Sequence, residues 1–233
     1  MEQQDLGSHI SHAFNEDLTR IRTLTLEMGR MVEEQIDLAI QALVTGDSRL
    51  ARRVEVDDSR VNHLEVTIDN ECSQVIVRRQ PTAVDLRYVL AVIKITSDLE
   101  RIGDEAEKVA RMAVHLAEMP RPRDNYEELG QLGSDVKDMV RDAITGFETY
   151  NVRLARDVLR RDQSVDKEYD DINSRYMMAM TKDPRDIRRM LYLLWLARAL
   201  ERIGDHAKNV GEQVLYFVEG MDVRHVGHTA PAN

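Results

Sequence analysis

The six residues LERIGD occur twice in this chain, at Leu99 to Asp104 and at Leu200 to Asp205, 101 positions apart. A repeat constrains the fold more than any composition does, because both copies must form the same supersecondary unit. The match extends outward. DLRYVLAVIKITSDLERIGD, from Asp85, lies over DIRRMLYLLWLARALERIGD, from Asp186, at the same offset. Upstream the offset is 104, where AIQALVTGDSRLARRV, from Ala39, lies over AITGFETYNVRLARDV, from Ala143. The later copy has therefore lost three residues between its second and third segments.

Only 5 Pro and 11 Gly interrupt the 233 residues, 42% of them apolar, a composition that favours helix. Each copy reads as three helical segments. The first runs from about His12 to Val44, with Leu24, Met28, Met31 and Ile36 on one side, and Gly46 and Asp47 close it. The second covers about Ser48 to Arg79, with a stripe of Val54, Val61, Leu64, Ile68, Cys72 and Val75. The third begins near Thr82, whose hydroxyl would form a capping box with Asp85; Asp183, Pro184 and Asp186 supply the later equivalent. Ile95, Leu99, Ile102, Ala106, Val109 and Ala113 keep helical spacing, and Leu196, Leu200, Ile203, Ala207, Val210 and Val214 repeat it position for position. The expected fold is all-α: two tandem three-helix bundles, six helices, with an approximate internal twofold relation. The first bundle is expected over 10–118 and the second over 124–220. A link rich in proline and charge, Glu118 to Asn125, separates them, and a flexible tail follows over 221–233.

The net charge of -10 argues against nucleic acid or an anionic membrane as a direct partner. The one cysteine, Cys72, falls in an apolar register and reads as a core hydrophobe. The start, MEQQDLGSH, is not a signal peptide, and no apolar run nears the roughly 18 residues a spanning helix needs, so a soluble cytoplasmic protein is expected. Large apolar residues crowd YMMAM (Tyr176 to Met180) and MLYLLWLA (Met190 to Ala197), which suits helix packing or the surface of a dimer or partner. Basic residues cluster beside equivalent turns, in RRQP (Arg78 to Pro81) and RDIRRM (Arg185 to Met190), either as solvated helix ends or as docking sites for an acidic partner.

Glu100 and Asp104 are four apart and leave one helical face, and Glu201 and Asp205 reproduce the arrangement. Two anions one turn apart need something positive. Asp58 and Asn62 on the second helix match Asp162 and Asp166 on the fifth, again spaced by four. One reading is an oxygen-ligand metal site, as helical bundles build from carboxylates of neighbouring helices. A second is an ion-pair network with Arg101 and Arg202, and a third is acid catalysis. Gly103 and Gly204 sit inside both repeats at a cost of about 1 kcal/mol each against alanine, which close approach of another helix or a bulky ligand would explain. Catalysis has little further support: there is no HExxH, no phosphate-cradling glycine loop and no serine elbow. No histidine recurs, since His206 replaces Glu105 and His63 corresponds to Lys167, and the Glu-x-x-His pairs of ferritin-like oxidases are absent. His225 and His228 fall in the tail.

QPTAVDLR (Gln80 to Arg87), the two ERIGD segments, and DSRVNHLE (Asp58 to Glu65) with DQSVDKEY (Asp162 to Tyr169) together resemble the PhoU family of phosphate transport system accessory proteins, over nearly the whole chain. The resemblance implies six helices in two bundles. It also implies a di- or multinuclear metal, iron, zinc, manganese or magnesium, held through Glu100, Asp104, Glu201 and Asp205 with Asp58, Asp162 and Asp166. Asn62 stands where an aspartate would be stronger, so the first set is expected to be the less charged and less occupied. The function implied is that of a negative regulator of phosphate uptake and phosphate-starvation signalling, not an enzyme. It would be an adaptor between the ATPase subunit of a phosphate ABC importer and a phosphate-sensing histidine kinase, reaching the inner membrane only through these partners. A homodimer suits the excess of apolar residues. The rival class is a carboxylate-bridged metal enzyme, a hydrolase or oxidase, or a purely metal-binding helical protein.

Overall fold

The computed structural model describes residues 12–120 and 126–220, which form six α-helices and one 3₁₀ turn: α1 (His12–Thr45), α2 (Ser48–Arg79), α3 (Ala83–Ala117), α4 (Glu127–Thr149), α5 (Val152–Lys182), the turn Pro184–Asp186, and α6 (Ile187–Glu219). The helix ends follow from local chemistry. Gly46 takes φ 74° and donates its N–H to the Ala42 carbonyl over 2.8 Å, closing α1. The next residue, Asp47, accepts the Arg49 N–H at 2.9 Å and opens α2. In the later copy Tyr150, at φ 56°, takes the place of the glycine, and Asn151 caps α5 by accepting from Arg153 and Leu154.

The start of α3 departs from expectation. Thr82 occupies the N-cap position, but its hydroxyl makes no capping hydrogen bond. Ala83 takes a left-handed φ of 46°, which turns the chain out of the geometry a capping box requires, and the Asp85 N–H instead donates to the Thr82 carbonyl over 3.2 Å. The equivalent later start is as expected: Asp183 accepts the Arg185 N–H at 3.0 Å, and Pro184 opens the 3₁₀ turn.

Helices α1, α2 and α3 pack on one another, as do α4, α5 and α6, and the two bundles join through α1 on α4 and α3 on α6. That leaves α2 and α5 on the outside. All the paired third-helix positions from Ile95 to Ala113 and from Leu196 to Val214 are buried. So is Cys72, whose thiol burial pushes up to about 12, so it stays protonated and unreactive. Between the bundles, Lys137 meets Asp37 at 2.5 Å and Arg141 meets Glu33 at 2.7 Å. Tyr88 of α3, Phe147 of α4 and Phe217 of α6 form one aromatic cluster, with centroids 5.5–6.0 Å apart.

The crowded apolar segments divide. Leu193, Leu196 and Ala197 enter the core, whereas Met177, Met178, Ile187, Leu191 and Trp195 are exposed. The basic turns are partly neutralised, Arg79 by Asp17 at 2.8 Å and Arg185 by Asp183 at 2.8 Å. No helix among the described residues is long and apolar enough to cross a membrane. Positions 121–125 of the link, and the tail with His225 and His228, lie outside the described residues.

Candidate metal centre

In the first bundle α2 and α3 place their acids together. Gly103 lets α2 approach: a Cβ there would stand 3.3 Å from Asp58 Oδ1 and 3.5 Å from Val61 Cγ1. Asp58 therefore lies beside the backbone between Glu100 and Asp104, and Asn62 donates to its other oxygen over 3.1 Å. Burial raises the pKa of Asp58 first, and the charge of Asp104 raises it further. Glu100 shifts up for the same reasons, burial and then Asp104, with smaller contributions from Glu65 and Asp58. Glu65 and Glu107 extend the cluster, and burial raises both of them as well. Neither was singled out in the sequence, although each lies seven residues, two helical turns, beyond Asp58 and Glu100.

The second bundle draws its acids tighter. Asp162, Asp166 and Asp205 each offer an oxygen, all within 4.8 Å of one another. Burial and then the charge of Asp162 raise the pKa of Asp166 and of Asp205. Glu201 is buried beside them. Arg198 donates to its Oε1 over 2.6 Å, its Oε2 has no hydrogen-bond partner, and burial followed by the charge of Asp205 pushes the carboxyl up to about 7. Lys208 enters this cluster, its Nζ 2.5 Å from Asp162 Oδ2. Burial alone would lower the pKa of that ammonium, but the Asp162 contact and the charge of Asp205 leave it raised. Asn62 is thus a donor to Asp58 and not a further anion, yet the first cluster is the more negative one: Glu107 stands where the second has Lys208.

A cavity of about 530 Å³ opens beside the seam of α3 and α6, and both Asp104 and Asp205 line it together with Arg101, Arg202 and Lys108. Ion pairing is real here, at the next residue along: Glu105 accepts from Lys108 at 2.9 Å and from Arg202 at 3.2 Å, and His206 Nδ1 meets Asp98 at 2.9 Å. The contacts of Glu105 with Arg202 and of Asp98 with His206 tie the bundles together, while Arg101 and Arg202 only partly offset the charges of Glu100 and Glu201. Oxygen donors clustered on two helices suit hard or borderline divalent cations.

A PhoU domain matches residues 25–113 and again residues 129–214. The chain belongs to the PhoU family. Each matched segment contains one whole acidic cluster, so the duplication that generates the PhoU fold also generates the pair of clusters. The phosphate-specific transport system accessory protein PhoU homologue of Pseudomonas aeruginosa is 44% identical over 98% of this chain and 95% of its own length. The PhoU protein of Escherichia coli is 41% identical over 97% of this chain and 94% of its own. Two PhoU crystal structures superpose closely. That from P. aeruginosa has a TM-score of 0.86 at 44% identity, over 89% of this chain and all of the other. The phosphate transport system regulatory protein from Streptococcus pneumoniae has a TM-score of 0.82 at 26% identity, over 90% of this chain and 99% of the other. The PhoU architecture thus persists where most of the sequence has changed.

Proposed function

We propose that this chain is a negative regulator of phosphate uptake and phosphate-starvation signalling, an adaptor linking the ATPase subunit of a phosphate ABC importer to a sensor histidine kinase. The observation that carries this reading is its end-to-end similarity to proteins named as accessory to phosphate-specific transport. The surface supports a binding role. Met177, Met178, Ile187, Leu191 and Trp195 expose apolar side chains beside the arginines of the α5–α6 turn, a mixture that suits protein docking. The chain works in the cytoplasm as a homodimer and meets the membrane through its partners. Its carboxylate clusters hold divalent metal, which neutralises anions that α2 with α3 and α5 with α6 bring together. Partner choice then follows from the relative affinities of two surfaces, each sensitive to the state of the complex.

The test is a pull-down from native membranes at high and at low phosphate, with metal content measured in the same sample. Recovery of the importer ATPase and a sensor kinase is the expected result. Retention of metal with neither protein recovered would overturn the adaptor reading and favour the rival, a carboxylate-metal hydrolase or oxidase using the cavity beside the α3–α6 seam.

A further inference from the structure

The two turns at which basic residues cluster are related by the duplication. Each leads into a third helix with one pattern, DLRYVL from Asp85 and DIRRML from Asp186, so Arg87 corresponds to Arg188 and Leu90 to Leu191. A leucine three residues after an arginine shares its helical face. Both leucines are 38% exposed, so core packing accounts for neither.

Each turn exposes further apolar groups beside arginine. The first shows Val77 and Val84 with Arg78; the second shows Met177, Met178, Ile187 and Trp195 with Arg188. Arg78 makes no ion pair among the described residues, and Arg188 is engaged by the ring of Tyr192, 5.9 Å from its centroid. In a chain of net charge -10, guanidiniums set at the rim of an apolar patch fit an acidic protein surface.

Helix packing puts the two patches on one face. α3 and α6 run antiparallel, with Glu105 on Arg202, His115 stacked on Tyr192 at 4.9 Å and Lys94 Nζ 5.5 Å from the Tyr216 ring centroid. Lys94 and Trp195 are equivalent positions, and both stand at this seam, Lys94 over Tyr216 and Trp195 edge-on to Tyr192 at 5.7 Å. Leu90 and Leu191 lie one turn before them on the same helical faces. The internal twofold that crosses the seam carries one patch onto the other, so both look out from the α3–α6 face. Arg87 reaches Gly220, just past the end of α6, which places Leu90 near the last turn of that helix. At about 1.5 Å per residue, Leu90 and Leu191 are roughly 40 Å apart.

We propose that one chain docks across two copies of its partner: the α2–α3 and α5–α6 turns are equivalent stations that engage the same acidic surface on each of two importer ATPase subunits. This rests on the adaptor reading above and adds to it the number and spacing of the contacts. A pair of identical subunits repeats each surface about a twofold axis, and a chain with its own twofold meets both copies alike. The stations are unequal in strength, because Trp195 of the second stands where the first has Lys94.

The test compares binding of the full chain to the single ATPase subunit and to a tandem fusion of two such subunits, by calorimetry. The second contact with the tandem is intramolecular, so the chain should bind it one to one and about 100-fold or more tighter than the single subunit. Leu90→Glu and Leu191→Glu alter exposed positions and should keep their helical content. Each should lose the advantage of the tandem and bind both forms with similar affinity, and the double variant should bind neither. Equal affinity of the unaltered chain for both forms, or a full tandem advantage in Leu90→Glu, would overturn the proposal and leave the adaptor reading intact. Chains that pair with one another in sedimentation, and are monomers as Leu191→Glu, would assign the patches to a second copy and overturn it as well. A chain that binds neither form would overturn both.

Discussion

Ile40 of α1 lies over Gly133 of α4, and Ile144 of α4 lies over Gly29 of α1. A Cβ added at Gly133 would stand 2.6 Å from Ile40 Cγ1, and one at Gly29 would stand 2.7 Å from Ile144 Cδ1. Both members of each pair exchange under the offset of 104, so the seam between the bundles is a self-complementary contact folded into one chain. Gly133→Ala gains about 1 kcal/mol of helix propensity but forces a methyl into Ile40, at a cost of about 1–3 kcal/mol. We expect net destabilisation, partly relieved by adding Ile40→Val, read as urea midpoints at unchanged slope. A more stable Gly133→Ala would mean that Ile40 yields.

Across the other seam, Arg202 donates to Glu105 over 3.2 Å, and Glu105 is 4% exposed. Replacing Glu105 by Gln keeps the shape and removes the charge that Arg202 and Lys108 share. The expected loss is about 1–3 kcal/mol. A double-mutant cycle with Arg202→Met should return a coupling of about 0.5 kcal/mol or more, and additive effects would deny the pair any part in holding the bundles together.

Stability of the metal-free chain should fall as pH rises from about 4.5 to about 7. Burial, followed by the charge of Asp205, raises the Glu201 carboxyl from 4.5 to about 7 in the folded state. The folded chain therefore holds a proton that the unfolded chain releases, so the contribution of this group is complete below the unfolded value and lost as pH passes the folded one. Asp166 and Asp205 shift in the same direction. Melting temperatures in chelator across this range should slope downward, and Glu201→Gln should flatten the slope. An equally steep profile in the variant would assign the titration to other groups.

Trp195 is the chain's single tryptophan and is 55% exposed, within the apolar band assigned to partner docking. Adding the importer's ATPase subunit should move its emission to shorter wavelength as the indole leaves water. Trp195→Ala should weaken that complex about 10-fold or more, since buried tryptophans dominate interfaces, with helical content preserved. Unchanged emission on saturation with the ATPase subunit would place the contact elsewhere.

The six helices, their buried stripes and the shared face of Glu100 with Asp104 were all legible in the sequence, because helical periodicity is local and the duplication supplied an independent copy of each segment. Even the glycines inside LERIGD announced a close approach, which α2 and α5 make. Local rules failed where the backbone left the regular helix: Ala83, at a φ of 46°, undid the cap expected of Thr82. They were also silent on which large apolar residues lack neighbours, so Leu193 and Trp195 read alike although one is core and the other surface. Most of all, the identical letters hid the difference between the two sites. Gln35 and Asp58 belong to different helices, as do Lys208 and Asp162, and their meeting depends on how the helices cross. Spacing along one helix fixes which side chains share a face; only the packing of several helices decides which charges are buried together, and therefore which of them meet a compensating group.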